Sequence, residues 1–237
     1  MEWTKEQVIL RLNEIERKGF IPIPKGMYRN DDGIIGQILE REFGVKENNL
    51  HIADLGTYEL KGMRSRKRNM LTLFHQTSTE GMTPLQIFER FSYIRPSKRD
   101  GTSKHKLFTT INGNKENSLG FILKPSGTSN VDLYYHNEYL ARWDLSRGLA
   151  KIQQVLLEFA ETSGQRNSED ECFHYVRAYI LGSPRNIYKA ISDGSVVMDL
   201  CIDQPADGSK PVHDRGPHIR IPIRKIGALF DVVEQVL

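Results

Sequence analysis

The sequence predicts a mixed α/β fold with a central sheet flanked by helices. Three observations lead there. An amphipathic helical pattern opens the chain, the apolar period drops to two residues after about residue 50, and helical and strand-like segments alternate from there to the end. With 237 residues the chain can fill one large domain or two small ones.

The first helix is expected over Thr4–Lys18, where Val8, Ile9, Leu12 and Ile15 form the apolar stripe and Gly19 ends the run. The Pro- and Asn/Asp-rich segment IPIPKGMYRNDD connects it to a second helix. Asp32 is its candidate cap, Ile34, Ile35, Ile38, Leu39 and Phe43 share its apolar face, and Gly44 stops it. LHIAD, TYELKG and MLTLFH then read as strands, separated by the Gly56 turn and the basic tract RSRKR. A helix is expected over Pro84–Phe91, and a strand at KLFTTI. SLGFILK, SNVDLYY and EYLARWD read as antiparallel strands, with Gly127 and Asn137 in the turns. Helices are expected over Leu145–Glu161, Glu169–Leu181 and Pro184–Ile191. SVVMDLCID reads as a strand, the loop QPADGSKPVHDRGPH leads to a strand IRIPI, and a closing helix is expected to end at Leu237. No repeat or clean linker is present. One domain over 1–237 is therefore expected, with catalytic elements around 31–75 and a sublobe including about 76–145 and 204–223, two lobes around a cleft.

Composition narrows the class. With 38% hydrophobic and 9% aromatic residues and a net charge of only +3, the chain is not of the disordered type. Cys172 and Cys201, each in an apolar stretch, are expected as buried reduced thiols rather than a disulfide. The N-terminus has no signal-peptide pattern and no apolar run is long enough to span a bilayer, so a cytoplasmic location and no membrane contact are expected. Charge is unevenly placed. Residues 1–60 carry 8 Lys/Arg against 11 Asp/Glu, residues 61–106 carry 11 against 3, and residues 210–225 carry 5 against 1. Two basic zones on a balanced chain suit a surface that holds a polyanion, although charge runs are often only solvated faces.

The segment IADLGTYELKG concentrates the chemistry. Residues two apart on a strand share a face, so Glu59 and Lys61 project together while Leu60 turns inward, and Asp54 can face them across the turn. Phosphodiester hydrolysis needs this kit: carboxylates to hold a hard cation such as Mg2+, and a lysine to orient the attacking water and offset phosphate charge. The bland alternative is an ordinary exposed sheet face, where Glu and Lys two apart are common. Glu40, on the polar side of the second helix, is a candidate third carboxylate.

Two further segments are candidates for nucleic-acid contact. His75 ends LTLFH, and His213, Asp214, Arg215, His218 and Arg220 cluster in HDRGPHIRI. Arginine pairs with guanine O6 and N7, and aspartate accepts from the cytosine amine; the alternative is a local Asp214–Arg215 ion pair with a packed histidine. Basic residues at 64–68, 95–106 and 220–225 suit phosphates, among them Arg64, Arg66, Lys67, Arg68, Lys104 and Lys106. No GxGxxG after a strand, GKS/GKT, GxSxG or HExxH motif occurs, so dinucleotide, ATPase, serine-hydrolase and zinc-protease chemistry have no anchor.

The strings DDGIIGQILEREFGVKENN, ADLGTYELKGMRSRK, LTLFHQT, LFTTI, LYYHNEYLARWDL, FAET, VMDLCIDQ and HDRGPHIRIPI, in this order along the chain, resemble the MvaI/BcnI type of type II restriction endonuclease, a branch related to MutH. The match is nearest to its BcnI side. The resemblance implies a restriction-endonuclease-like, PD-(D/E)xK core. It implies Asp54 and Glu59 as metal ligands for Mg2+, Lys61 as the catalytic lysine and Glu40 as the assisting helix glutamate. It places His75, and His218 or His213, on a recognition surface with the loop at 213–220 against base edges. It implies a monomer that nicks double-stranded DNA one strand at a time at a short pseudosymmetric site such as CC(C/G)GG, with a cognate DNA methyltransferase in the host. A strand-specific, partner-dependent repair nickase and a non-catalytic DNA-binding module are the alternatives.

Overall fold

The computed structural model describes residues 2–27, 33–45, 53–65, 70–97 and 101–237. It forms two compact units, one from Met1–Asn69, Ala150–Arg185 and Phe230–Leu237, the other from Met70–Leu149 and Asn186–Leu229. In chain order the first unit begins with α1 (Lys5–Arg17), β1 (Ile21–Pro22), α2 (Ile34–Glu42) and β2 (Glu59–Arg64). The second unit takes β3 (Met70–His75), β4 (Glu80–Gly81), α3 (Pro84–Phe91), β5 (Tyr93–Pro96), β6 (Ser103–Ile111), β7 (Phe121–Ser126), β8 (Asn130–Tyr135) and β9 (Glu138–Asp144). Helix α4 (Ser146–Lys151) carries the chain back to the first unit and to β10 (Gln154–Ser163) and β11 (Cys172–Pro184). The second unit resumes with α5 (Ile187–Ser192), β12 (Val197–Pro205), β13 (His213–Asp214), β14 (His218–Pro222) and a 3-10 turn over Ile223–Ala228, and β15 (Phe230–Gln235) closes the first.

The first unit is built on a mixed sheet in the order β1-β11-β10-β2, with β15 also on β11. Strand β2 runs parallel to β10, and the other pairings are antiparallel. Helix α1 starts with a capping box in which the Thr4 side chain accepts from the Gln7 N–H and the Gln7 side chain accepts from the Thr4 N–H. Its stripe Val8, Leu12 and Ile15 joins Ile34, Ile38 and Leu39 of α2 over one face of the sheet, on Leu60, Leu156, Ala160, Tyr175 and Ala178. Gly62 lets α2 come close: a Cβ there would sit 3.0 Å from the Ile35 carbonyl oxygen. Tyr175 in turn donates its hydroxyl to that oxygen at 2.6 Å.

The second unit holds a six-stranded sheet, β3-β14-β12-β6-β5 with β13 also on β12, and a four-stranded sheet, β4-β9-β8-β7. Helix α3 has a capping box at Thr83 and proline at its first position, and it lies against β6 and β12. Among the described residues no helix is long and apolar enough to cross a membrane.

Several expected elements take their predicted form. Both early helices, the helix Pro84–Phe91, the strands at 59–64, 70–75, 130–135 and 138–144, the strand at 197–205 and the turns at Gly127 and Asn137 are all present. Asp32 and residues 50–52 of LHIAD lie outside the described residues; α2 begins after Gly33 with no side-chain cap hydrogen bond.

Four late elements differ. The expected helix over Leu145–Glu161 is a short helix followed by β10, because Val155 to Ala160 are buried on both sides, and a continuous apolar run is what an interior strand next to a parallel neighbour shows. The expected helix Glu169–Leu181 is instead strand β11 from Cys172 onward, rich in aromatic and β-branched residues. The expected Pro184–Ile191 helix shrinks to α5 behind an Asn186 cap, and the closing helix is a 3-10 turn and the edge strand β15. Sheet pairing overrides the local helical pattern in β10, β11 and β15. Cys172 and Cys201 are free thiols, but half-buried rather than fully so.

Arg64 and Glu158, both buried, sit on the helix-covered face of the first unit's sheet. Arg64 donates to Glu171 through Nε at 2.8 Å and Nη2 at 2.7 Å, a bidentate pair from which water is almost excluded. Glu158 is fully buried between Leu156 and Ala160, and neither carboxylate oxygen has a hydrogen-bond partner among the described residues. Burial pushes its carboxyl well above the ordinary glutamate range, which favours the protonated form. The unfolded chain releases that proton above about pH 4.3 while the folded chain keeps it, so Glu158 subtracts stability as pH rises. Glu158→Leu should raise unfolding stability by about 1–3 kcal/mol, with a larger gain at pH 7.5 than at pH 5. Urea unfolding at both pH values checks this, and an unchanged or lower midpoint at pH 7.5 would count against it.

Candidate active site

Strand β2 presents Glu59 and Lys61 on the face opposite α2, as the two-residue period requires. Behind them lies an apolar floor, because the parallel neighbour β10 places Val155 beside Glu59 and Leu157 beside Lys61. The preceding turn is tight: Gly56 adopts φ 80° and its N–H donates to the Ala53 carbonyl at 2.9 Å, while the Leu55 N–H donates to the Tyr58 carbonyl at 3.0 Å. This turn brings Asp54 back over β2, where its Oδ2 accepts from the Leu60 N–H at 2.9 Å.

Glu59 is only 2% exposed. Its Oε1 accepts from Lys61 Nζ at 2.7 Å, and its Oε2 lies 3.1 Å from Lys151 Nζ, the last residue of α4. That second contact is an ion pair without hydrogen-bond alignment, so Oε2 is buried with no directed donor among the described residues. Burial raises the Glu59 carboxyl above its ordinary range; Lys61 and Lys151 oppose the rise and Asp54 adds to it.

The donor set suits a hard cation. Asp54 and Glu59 lie close enough to act on one another's charge, and Glu59 Oε2 is buried with no hydrogen-bond partner among the described residues. Among the described residues no group of three or more His, Cys, Asp or Glu gathers to hold a metal. Mg2+ does not need one, since it keeps several waters and takes one or two carboxylates plus phosphate oxygens. Glu40 is half-buried on α2, whose start packs over Gly62 on the other face of β2.

The second unit collects the other predicted residues along β12 and β14. His75 of β3 pairs in register with His218 of β14, and their rings meet edge to face at 4.2 Å. Asp199 accepts from Arg220 Nη1 at 2.5 Å and from the Thr110 hydroxyl at 2.6 Å. Asp203 accepts from Arg215 Nη2 at 3.2 Å and from Lys104 Nζ at 3.4 Å. Arg215 also lies over the Phe108 ring. The local Asp214–Arg215 pair considered from sequence does not form: Asp214 instead accepts from the Gly216 N–H at 2.7 Å, and the arginine turns to Asp203. His213 is exposed on β13, and Lys106 donates to the Pro96 carbonyl at 3.3 Å.

One expected phosphate contact is corrected. Arg64 is 6% exposed and spends its guanidinium on Glu171, on the face opposite Glu59, so it is structural. Arg66, Lys67 and Arg68 lie outside the described residues.

Three polar residues escaped the sequence reading. Lys151 lies in an expected helix, and nothing in its local sequence marks it for the site. Asp199 and Asp203 fell within an expected strand, where their four-residue spacing places both on one face; that alternation was the available signal.

Residues 9–230 match the model of the MvaI/BcnI restriction endonuclease family. No curated protein sequence matches the chain. Among solved structures the chain is similar to restriction endonuclease MvaI in complex with cognate DNA substrate, with a TM-score of 0.78 at 17% identity, and to MvaI in the absence of DNA, with 0.51 at 18% identity; each match covers 100% of both chains. At such identities these likenesses establish the fold, a restriction-endonuclease-like mixed sheet flanked by helices.

The His75–His218 contact has a measurable consequence. Burial, then the neighbouring His75 and Arg220, lower the His218 imidazole to about 4 against an ordinary value near 6.5. It is therefore neutral at physiological pH. Its contribution to stability is whole above about pH 6.5 and is lost as pH falls toward 4, because the unfolded imidazole takes a proton first. An NMR titration should place the His218 midpoint near 4; a midpoint near 6.5 would mean the ring is not buried against His75.

Proposed function

We propose a reaction and a target for this chain from one premise: it belongs to the MvaI/BcnI restriction endonuclease family. It is a type II restriction endonuclease, a sequence-specific enzyme that cuts double-stranded DNA. The finer reading is Mg2+-dependent phosphodiester hydrolysis at a short pseudosymmetric site, CC(C/G)GG, by a monomer that nicks one strand and then the other. The observation that carries the chemistry is the set of Asp54, Glu59 and Lys61 on one short strand and its turn, with Glu59 buried and Lys61 2.7 Å from it.

Asp54 and Glu59 would hold Mg2+, which when bound supplies positive charge to the scissile phosphate. Lys61 is anchored at Glu59 Oε1 with 22% of its side chain exposed, so its remaining N–H donors can orient a water in line with phosphorus and offset the charge that develops on the phosphoryl oxygens. The Val155 and Leu157 floor keeps bulk water from one side of these groups, which strengthens their electrostatic action. Glu40 is assigned an assisting role by the family resemblance alone, since α2 covers the other face of β2.

For the target, Arg215 and Arg220 suit guanine O6 and N7, Asp214 suits the cytosine amine, and Asp203 and Asp199 fix the two guanidinium groups in orientation. His75, His213 and the neutral His218 offer ring nitrogens to base edges, and Lys104 and Lys106 suit phosphates. The solved complex of MvaI with cognate DNA supports a duplex as the substrate. A cognate methyltransferase would protect host DNA in the same cytoplasm.

Purified protein incubated with supercoiled plasmid, with and without Mg2+, tests the reading once the product ends are sequenced. Mg2+-dependent fragments sharing one end sequence, through a nicked-circle intermediate, are expected. Persistent nicking of one strand would favour a repair-type nickase, and binding without cleavage a silent DNA-binding module. Lys61→Ala should keep specific DNA binding in a gel-shift assay while cleavage drops roughly a hundredfold or more; near wild-type cleavage would remove Lys61 from its role.

A further inference from the structure

The contact between Lys151 and Glu59 has no place in the reaction as described, and its geometry is unusual. A carboxylate only 2% exposed needs compensating charge, because desolvation without it is costly. Lys61 meets that need at Oε1 through an aligned hydrogen bond. At Oε2 the positive charge arrives without one: Lys151 Nζ is 3.1 Å away but off line, and among the described residues the oxygen has no hydrogen-bond donor. Charge is supplied there while the directed bond is left unmade. Lys151 stands three residues before β10 begins, and β10 is the parallel neighbour of β2, so the sheet itself sets the ammonium beside Glu59. Its side chain is 29% exposed, leaving room for the flexible stem to withdraw.

We propose that Lys151 is a resident counter-cation at the metal-facing oxygen of Glu59, a positioning residue that balances the buried carboxylate in the unloaded enzyme and gives way to a divalent cation. The formal charges of Asp54, Glu59, Lys61 and Lys151 cancel, so these four side chains balance one another. The incoming cation replaces an ammonium held by charge alone rather than breaking an aligned hydrogen bond. This rests on the reading of Asp54 and Glu59 as the cation ligands. It predicts competition: the enzyme gives up some metal affinity at rest in return for an ordered, compensated Glu59.

The test is Mn2+ binding to the full chain without DNA, followed by electron paramagnetic resonance at neutral pH, with circular dichroism to confirm folding. Lys151→Gln should bind Mn2+ about tenfold more tightly than wild type, as removing one nearby positive charge requires at partly exposed distances. Lys151→Arg should stay near wild type. Lys5→Met, which removes a lysine paired with Glu234 instead, should also leave affinity unchanged and so excludes a bulk charge effect. If Lys151→Gln does not fold, Lys151→Met serves in its place. A folded Lys151→Gln or Lys151→Met chain with wild-type or weaker Mn2+ affinity would overturn the proposal. Wild-type Mn2+ binding that Glu59→Gln leaves intact would overturn the ligand assignment as well, whereas binding that depends on Glu59 but ignores Lys151 would overturn only this inference.

Discussion

The parallel pairing of β2 with β10 is the contact on which the first unit depends. It joins a strand from the first third of the chain to one from the second half, across the whole insertion of β3 to β9. Its two faces do different work. One face carries Leu60, Gly62, Leu156 and Ala160 under the helices, and the other carries Glu59 and Lys61 over Val155 and Leu157. A slip of one residue in that register would exchange the faces and bury Lys61 in the core, so the same register secures fold and chemistry together.

Charge burial is handled in three ways within this unit. Arg64 and Glu171 satisfy one another in a bidentate pair, so the penalty of removing both from water is met by directed bonds. Glu158 has no hydrogen-bond partner among the described residues, and burial favours its neutral form. Glu59 lies between these cases. It has charge on both sides and, among the described residues, an aligned donor on one oxygen only, an arrangement that suits the cation-binding role proposed for it.

In the second unit β12 plays the organising part. Its aspartates at 199 and 203 share a face, and each draws in an arginine from the β13–β14 segment together with a polar group from β6. Arginine side chains lose much rotamer freedom when they bind, and an arginine already oriented by a buried carboxylate has less to lose. The strand therefore acts as a rigid support for residues that a flexible loop alone would leave mobile.

The sequence by itself determined the elements whose patterns are local. The stripes and stops of α1 and α2, the capped α3, the alternating strands at 130–144 and the shared face of Glu59 and Lys61 were all legible, because a period of two or of 3.6 and a capping residue act within a few positions. The family resemblance was legible for a related reason, as ordered strings along the chain. Only tertiary structure decided β10, β11 and β15, whose apolar runs fit a helix or a strand until a neighbour claims their backbone hydrogen bonds. It also decided that Arg64 turns inward to Glu171, that Arg215 pairs with Asp203 rather than Asp214, and that Lys151 reaches Glu59. Each of these depends on which residue of a distant strand lies opposite, and that register is set by the packing of the sheet as a whole.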